Sequence, residues 1–115
     1  MKATFWELPS FARRREHYLD DNEYRALQIE LMRFPAKGVL IQGSGGLRKL
    51  RYGDVAHGKG KRGGLRIIYF WRENAAQFWL FTLYGKDEVV DLTSAQLQIL
   101  RTRLQQELQA RSHEK

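Results

Sequence analysis

Residues Gly58 to Lys86 read GKGKRGGLRIIYFWRENAAQFWLFTLYGK, and the second half of this stretch decides the fold. Leu65 to Trp71 is an apolar, β-branched and aromatic run. Glu73-Asn74-Ala75-Ala76 has the composition of a turn, and Phe78 to Tyr84 is apolar and aromatic again. Two such runs joined by a short turn predict an antiparallel hairpin. The first half differs in kind, because its glycines are interleaved with cations. Gly58 to Gly63 matches G-x-G-x-x-G by letter, but a dinucleotide fingerprint follows a strand and opens a helix whose N-terminus receives the pyrophosphate. Here a strand follows the glycines and the variable positions are all cationic, so the match carries no dinucleotide reading.

Charge points to the same region. Between Arg48 and Arg72 stand eight basic residues (Arg48, Lys49, Arg51, Lys59, Lys61, Arg62, Arg66, Arg72) against the single acid Asp54. That local +7 equals the formal net charge of the 115-residue chain, so the remainder sums to zero. Nine of the ten glycines fall between Gly38 and Gly64. Cations gathered on a glycine-rich segment beside a stiff hairpin fit a protein that holds a polyanion. A pI near 10.0 points the same way, and taken alone would suit a membrane surface equally.

The length predicts one domain over residues 1–115 with a single core. The absence of cysteine excludes disulfides and cysteine-based zinc sites and fits a reducing cytosol. The N-terminus MKATFWELPSF has no apolar signal core, and no apolar run approaches the roughly 20 residues that span a bilayer. The expectation is a cytoplasmic protein with no membrane partner.

Outward from the hairpin, Leu47 to Tyr52 reads as a strand with Arg48 and Leu50 on one face and Lys49 and Arg51 on the other. Gly43-Ser44-Gly45-Gly46 is a turn, and Val39-Leu40-Ile41 is too short to classify. Asp20 to Phe34 predicts a helix: Asp20 and Glu23 have capping-box spacing, and Tyr24, Leu27, Leu31 and Phe34 form one apolar stripe. Ser10 is a candidate cap for a shorter helix through Tyr18, within which Arg13, Arg14 and Arg15 point about 100° apart and cannot form one patch. Thr4 to Leu8 is a first strand ended by Pro9. Beyond the hairpin, Thr93 and Gln96 can cap a helix whose Leu97, Leu100, Leu104 and Leu108 pack onto the sheet. The predicted class is α+β, a small antiparallel sheet in the order β-α-α-β-β-β-α.

This order resembles the RelE/ParE toxin superfamily, most nearly its HigB-type members, over about residues 3 to 110. The likeness rests on the Gly-Gly-Leu-Arg-Lys-Leu-Arg strand (Gly45 to Arg51), the Gly-Lys-Gly-Lys-Arg-Gly-Gly loop (Gly58 to Gly64), the Arg-Ile-Ile-Tyr strand start (Arg66 to Tyr69) and the Tyr-Gly-Lys strand end (Tyr84 to Lys86). The resemblance implies a microbial-RNase-like fold and metal-independent cleavage of translated mRNA in the ribosomal A site. It further implies a small neutralising antitoxin, helix-turn-helix and HigA-like, through which alone operator DNA is bound. Lys59 and Lys61 match loop lysines near the scissile phosphate, and Arg66 matches the arginine that contacts it. Lys86 precedes the position of the family's second arginine, here Asp87. No tyrosine stands in Val90 to Ser94, leaving Tyr84 as the nearby aromatic.

The residues support such chemistry in their own right. RNA cleaves itself when its 2′-OH is deprotonated and aimed in line at the adjacent phosphorus and the 5′-oxygen leaves protonated; the protein supplies a base, cations and an acid. Arg66 is planar and bidentate, suited to non-bridging oxygens, and its entry into an apolar strand is costly unless an anion or a salt bridge meets it. Lys59 or Lys61, each beside other cations, could act as base or acid. The candidate catalytic residues are therefore Lys59, Lys61, Arg66, Tyr84 and Lys86, and the candidate RNA-binding residues are Arg48, Lys49, Arg51, Arg62 and Arg72. His57 is a solvated loop residue or an additional proton carrier, and Tyr69 or Tyr84 is a core residue or a base-stacking one. No His, Asp or Glu cluster has metal-ligand spacing, so no metal or cofactor is expected. Two alternatives share the composition: a ParE-like gyrase inhibitor and a non-catalytic RNA-binding module.

Overall fold

The two apolar runs pair as their composition predicts. A computed structural model of the chain, describing residues 2–53, 64–86, 88 and 91–111, has the order β1 (Thr4–Glu7), α1 (Pro9–Tyr18), α2 (Asp21–Arg33), β2 (Val39–Leu40), β3 (Arg48–Tyr52), β4 (Leu65–Arg72), β5 (Gln77–Gly85) and α3 (Ser94–Ala110). Between β4 and β5 a single 3-10 turn over Glu73–Ala75 ends on Ala76 in the left-handed region, φ 51°.

The five strands lie in the order β1-β5-β4-β3-β2. The sheet is mixed, which corrects the expected all-antiparallel arrangement, and β2 is an additional strand. β2 to β5 form an antiparallel meander, whereas β1 runs parallel to β5 from Thr4 opposite Gln77 to Glu7 opposite Leu80. The direction of β1 follows from what comes next. Pro9 sits in the first turn of α1, where its missing N–H costs nothing. α1 then continues along the edge of β5 that β1 has left. Leu8 N–H donates to Leu80 C=O (2.9 Å) and the Arg14 guanidinium to Leu83 C=O (2.8 Å). A helix thus covers the remaining sheet edge.

Two apolar layers result. α1 and α2 bring Phe11, Tyr18, Leu27 and Leu31 onto Leu50, Ile67, Tyr69 and Phe78 of one sheet face. α3 brings Leu104, with Leu100 and Leu108 beside it, onto Ile68, Trp79 and Phe81 of the other. Both predicted capping boxes form, Asp20 with Glu23 and Thr93 with Gln96. Two local expectations are corrected. Ser10 does not cap α1, because Pro9 starts the helix and Leu8 is the N-cap; its hydroxyl instead bonds the Thr82 hydroxyl at 2.7 Å. Phe34 leaves the apolar stripe and is 51% exposed, because the helix ends at Arg33 and Phe34 turns outward as its C-cap.

Tyr69 shows how the connection from α2 to β2 is tied to the sheet. Its ring is fully buried; its hydroxyl donates to Pro35 C=O (2.7 Å) and accepts from Gly38 N–H (2.9 Å). A core role replaces base stacking for this residue. Gly38 is obligatory beside it, since a Cβ there would lie 2.7 Å from the Tyr69 ring. Tyr69→Phe leaves two backbone groups without their partner. We expect a loss of about 1–3 kcal/mol, read as a lower urea midpoint at unchanged slope.

Burial pushes up the phenols of Tyr24, Tyr52, Tyr69 and Tyr84 from the ordinary value of 10.0, Tyr24 the furthest. For Tyr24 the hydrogen bond to Glu7 (2.6 Å) adds to burial. A group whose folded pKa is raised holds its proton more tightly in the folded state. Its contribution to stability is complete below pH 10 and is lost as pH rises beyond that value. Stability should therefore fall steeply above about pH 10. Absorbance titration at alkaline pH should show these phenols ionising together with unfolding; ordinary phenolate titration of the still-folded protein would refute this.

Candidate functional site

Strand alternation sorts the cations of β3. Leu50 and Tyr52 face the α1–α2 layer, so Lys49 and Arg51 stand on the α3 face. On β4, Arg66 alternates with Ile68 and Phe70, which pack in the α3 layer. Register then brings the two strands' charges together, because Arg51 lies directly opposite Arg66 and Lys49 opposite Ile68. Like charges directly opposed across antiparallel strands destabilise a sheet. Arg66 is also 4% exposed, a charge held almost wholly out of water. Its guanidinium donates to Leu65 C=O at 3.2 Å. Arg51 is exposed and has no ion pair among the described residues.

Tyr84 completes the group from β5, where it is the partner of Arg66. A β-bulge puts it there. Ile68 pairs with Thr82 but Tyr69 with Leu80, so Phe81 is an extra residue in β5. Beyond the bulge the alternation changes phase. Leu83 joins the α1–α2 layer and Tyr84 the α3 layer. The Tyr84 ring is buried, which places it in the core rather than on a nucleobase, and its hydroxyl has no hydrogen-bond partner among the described residues. Burial raises its pKa, with Asp91 adding and Arg66 opposing, so at neutral pH the group is a phenol with an uncommitted proton.

Asp91 is the acid that the described residues bring to this place, and sequence reasoning missed it. The Leu92 N–H bonds its carboxylate at 2.8 Å and Lys49 Nζ approaches at 3.4 Å. The Leu92 bond, then Lys49 and the field of Arg66, hold its pKa below the ordinary carboxylate value. Its only sequence signal is its place two residues before the α3 cap Thr93.

Lys86 is exposed just past β5, and its N–H donates to Gly64 C=O (3.1 Å) at the open end of the hairpin. Gly53 and Gly64 lie at that end, beside the Arg51–Arg66 and Tyr52–Leu65 pairs. His57, Lys59, Lys61 and Arg62, with Asp54 and Asp87, lie outside the described residues.

The other two candidates are held elsewhere. The Arg48 guanidinium donates to Ala36 and Gly38 carbonyls (3.2 and 2.8 Å) at the end of α2, on the opposite sheet face. Arg72 is six residues along β4 from Arg66, about 20 Å at strand rise. There it bonds Gln77 and the Arg111 carbonyl and lies 5.6 Å from the Trp79 ring centre. Of the described candidates, the fold therefore gathers Lys49, Arg51, Arg66, Tyr84 and Lys86 and separates Arg48 and Arg72. Among the described residues no three His, Asp or Glu side chains are grouped to hold a metal ion, and no helix is long and apolar enough to cross a membrane.

No protein-family model matches the chain.

Proposed function

We propose that the chain is a metal-independent endoribonuclease that cleaves translated mRNA on the ribosome, the toxin of a type II toxin–antitoxin pair with a RelE-like fold. The observation that supports this reading best is the direct opposition of Arg51 and Arg66 across β3 and β4, with Arg66 buried. A phosphate bridging the two guanidiniums offsets the like-charge opposition of the strand pair and makes of it a two-arginine clamp. Its value grows as the pentavalent transition state gathers charge, which is differential binding of that state.

In the proposed reaction the 2′-oxygen bonds phosphorus and the P–O5′ bond breaks. The 2′-OH proton passes to a base and the 5′-oxygen receives one, leaving a 2′,3′-cyclic phosphate and a 5′-hydroxyl. Arg51 and Arg66 hold the non-bridging oxygens. Lys59 and Lys61, on the segment between Gly53 and Gly64, exchange the protons, with Lys86 adding positive potential and the Tyr84 phenol positioned behind Arg66. The remaining positive charge docks the protein on ribosomal RNA, so binding weakens steeply with salt. The cognate partner is an antitoxin with a helix-turn-helix, through which operator DNA is reached.

Transcript 5′-end mapping after a brief pulse of expression in a bacterium tests the proposal. The wild type should create new 5′-hydroxyl ends in codon register within translated frames. The Lys59→Ala/Lys61→Ala variant should fold normally and yield at most about 1% of those ends, the loss of a proton-transfer group. Arrested growth with intact messages would replace the proposal with gyrase inhibition. Normal growth with intact messages would replace it with RNA binding alone.

A further inference from the structure

The α3 face carries a second feature that the cation cluster does not use. A trough runs between the start of α1 and the outer side of α3, made of two cavities of about 530 and 320 Å³ that share Ser10, Ile99 and Leu100. The bulge in β5 builds its floor, since Phe81 and the adjacent Thr82 both line it. Ile99 stands on the α3 wall 69% exposed, a large β-branched side chain kept in water beside an apolar floor. On the same wall Ile99, Arg103 and Gln106 succeed one another at four and three residues, the spacing of a single helical stripe.

Charge identifies the occupant. Arg13, Arg14 and Arg103 line the trough, and among the described residues no acid does. Arg13 has no ion pair among the described residues. Arg14 and Arg103 hold Glu88 and Glu107 at 3.2 and 3.0 Å, but these pairs are partly exposed and exchange with an incoming carboxylate at modest cost. An apolar floor between cationic walls rejects a bare phosphate backbone, which offers nothing to cover Phe81 and Ile99. A second copy of a chain with net charge +7 meets the same walls with repulsion.

We infer that the α1–α3 trough is a docking site for an amphipathic helix of a protein partner, its apolar stripe on Phe81, Ile99 and Leu100 and its flanking Asp or Glu side chains on Arg13, Arg14 and Arg103. The trough borders the cation cluster at Tyr84, which lines its smaller cavity, but neither Arg51 nor Arg66 takes part, so the docking reading does not rest on the nuclease reading.

Panning a display library of 16-residue helix-forming peptides, randomised on one side, against the purified full-length chain tests it. The binders should converge on Leu, Ile or Phe at i, i+3 or i+4, and i+7, with Asp or Glu alongside. Their affinity, measured on synthetic peptides by fluorescence anisotropy, should fall about tenfold or more for Ile99→Asp and for Arg13→Glu/Arg103→Glu, the size expected for losing an anchor. Both changes are on exposed residues, and unchanged circular dichroism and urea midpoint would establish folding. The control is Val39→Ser, on the far edge of the sheet, which should leave affinity unchanged. Binders insensitive to Ile99→Asp, binders rich in Lys or Arg, or full displacement by a single-stranded RNA 20-mer would overturn the proposal. So would a concentration-dependent dimer of the free protein that Ile99→Asp dissolves, which would make the trough a self-interface.

Discussion

Replacing Arg66 with methionine should leave the protein folded while lowering the proposed RNA cleavage by about 10²–10³-fold, the loss recorded for removing one preorganised donor from a transition state. The two halves of this expectation rest on different physics. A buried guanidinium carries a large desolvation cost, which the exchange for an apolar side chain of similar length removes and which offsets the loss of the contacts that Arg66 makes. The exchange also removes the like-charge opposition with Arg51 across the strand pair. Asp91, whose carboxylate feels the Arg66 field, is exposed and keeps Lys49 and the Leu92 N–H. It is therefore not left as a buried unpaired charge. In the proposed reaction nothing replaces the planar fork, so Arg66→Lys should also be impaired although it conserves the charge. Urea unfolding and single-turnover cleavage on programmed ribosomes separate these effects. Destabilisation by about 3–5 kcal/mol, the cost of breaking a buried pair, would make Arg66 a structural residue and remove the basis of the clamp.

The second large effect concerns the α3 layer. Trp79→Ala should cost about 3–5 kcal/mol, a substantial part of the roughly 5–15 kcal/mol that holds a domain together. Trp79 is fully buried, stacks on Trp6 with ring centres 5.8 Å apart, and meets Phe70 at 5.2 Å. Its indole N–H donates to Gln77 Oε1 at 3.1 Å, and the Arg111 guanidinium sits 3.3 Å from the Trp6 ring centre on the same layer. Truncation opens a cavity beneath α3 and leaves Gln77 Oε1 with Arg72 as its side-chain donor. α3 should loosen with it, since only Leu104 of that helix is fully buried. Native-state hydrogen exchange would read this as lost protection over residues 94–110. A stability change under about 1.5 kcal/mol would mean that the α3 layer is not a packed core.

Much of the fold was legible because the signals were local. The capping boxes at Asp20 and Thr93 depend on residues three apart, and both form. The hairpin depends on two adjacent β-rich runs, and β4 and β5 pair over their whole length. Local signals also misled. Phe34 continues the periodicity of α2 in sequence, but periodicity cannot register that the helix has ended one residue earlier. Ser10 is a good cap by type, yet Pro9 claims the first helical position and leaves Ser10 to Thr82.

The site divides in the same way. Sequence alone settled which residues carry positive charge, that these are concentrated between Arg48 and Arg72, and that Lys49 and Arg51 share a face, because composition and strand alternation are properties of neighbouring residues. Tertiary structure decided which of those cations meet. Register placed Arg51 opposite Arg66, a one-residue bulge rotated Tyr84 onto their side, and the turn before α3 delivered Asp91. The same packing drew Arg48 and Arg72 away to backbone carbonyls at other ends of the sheet. Pairing partners, register and bulges arise from contacts between segments distant in sequence, whose energies no local pattern contains.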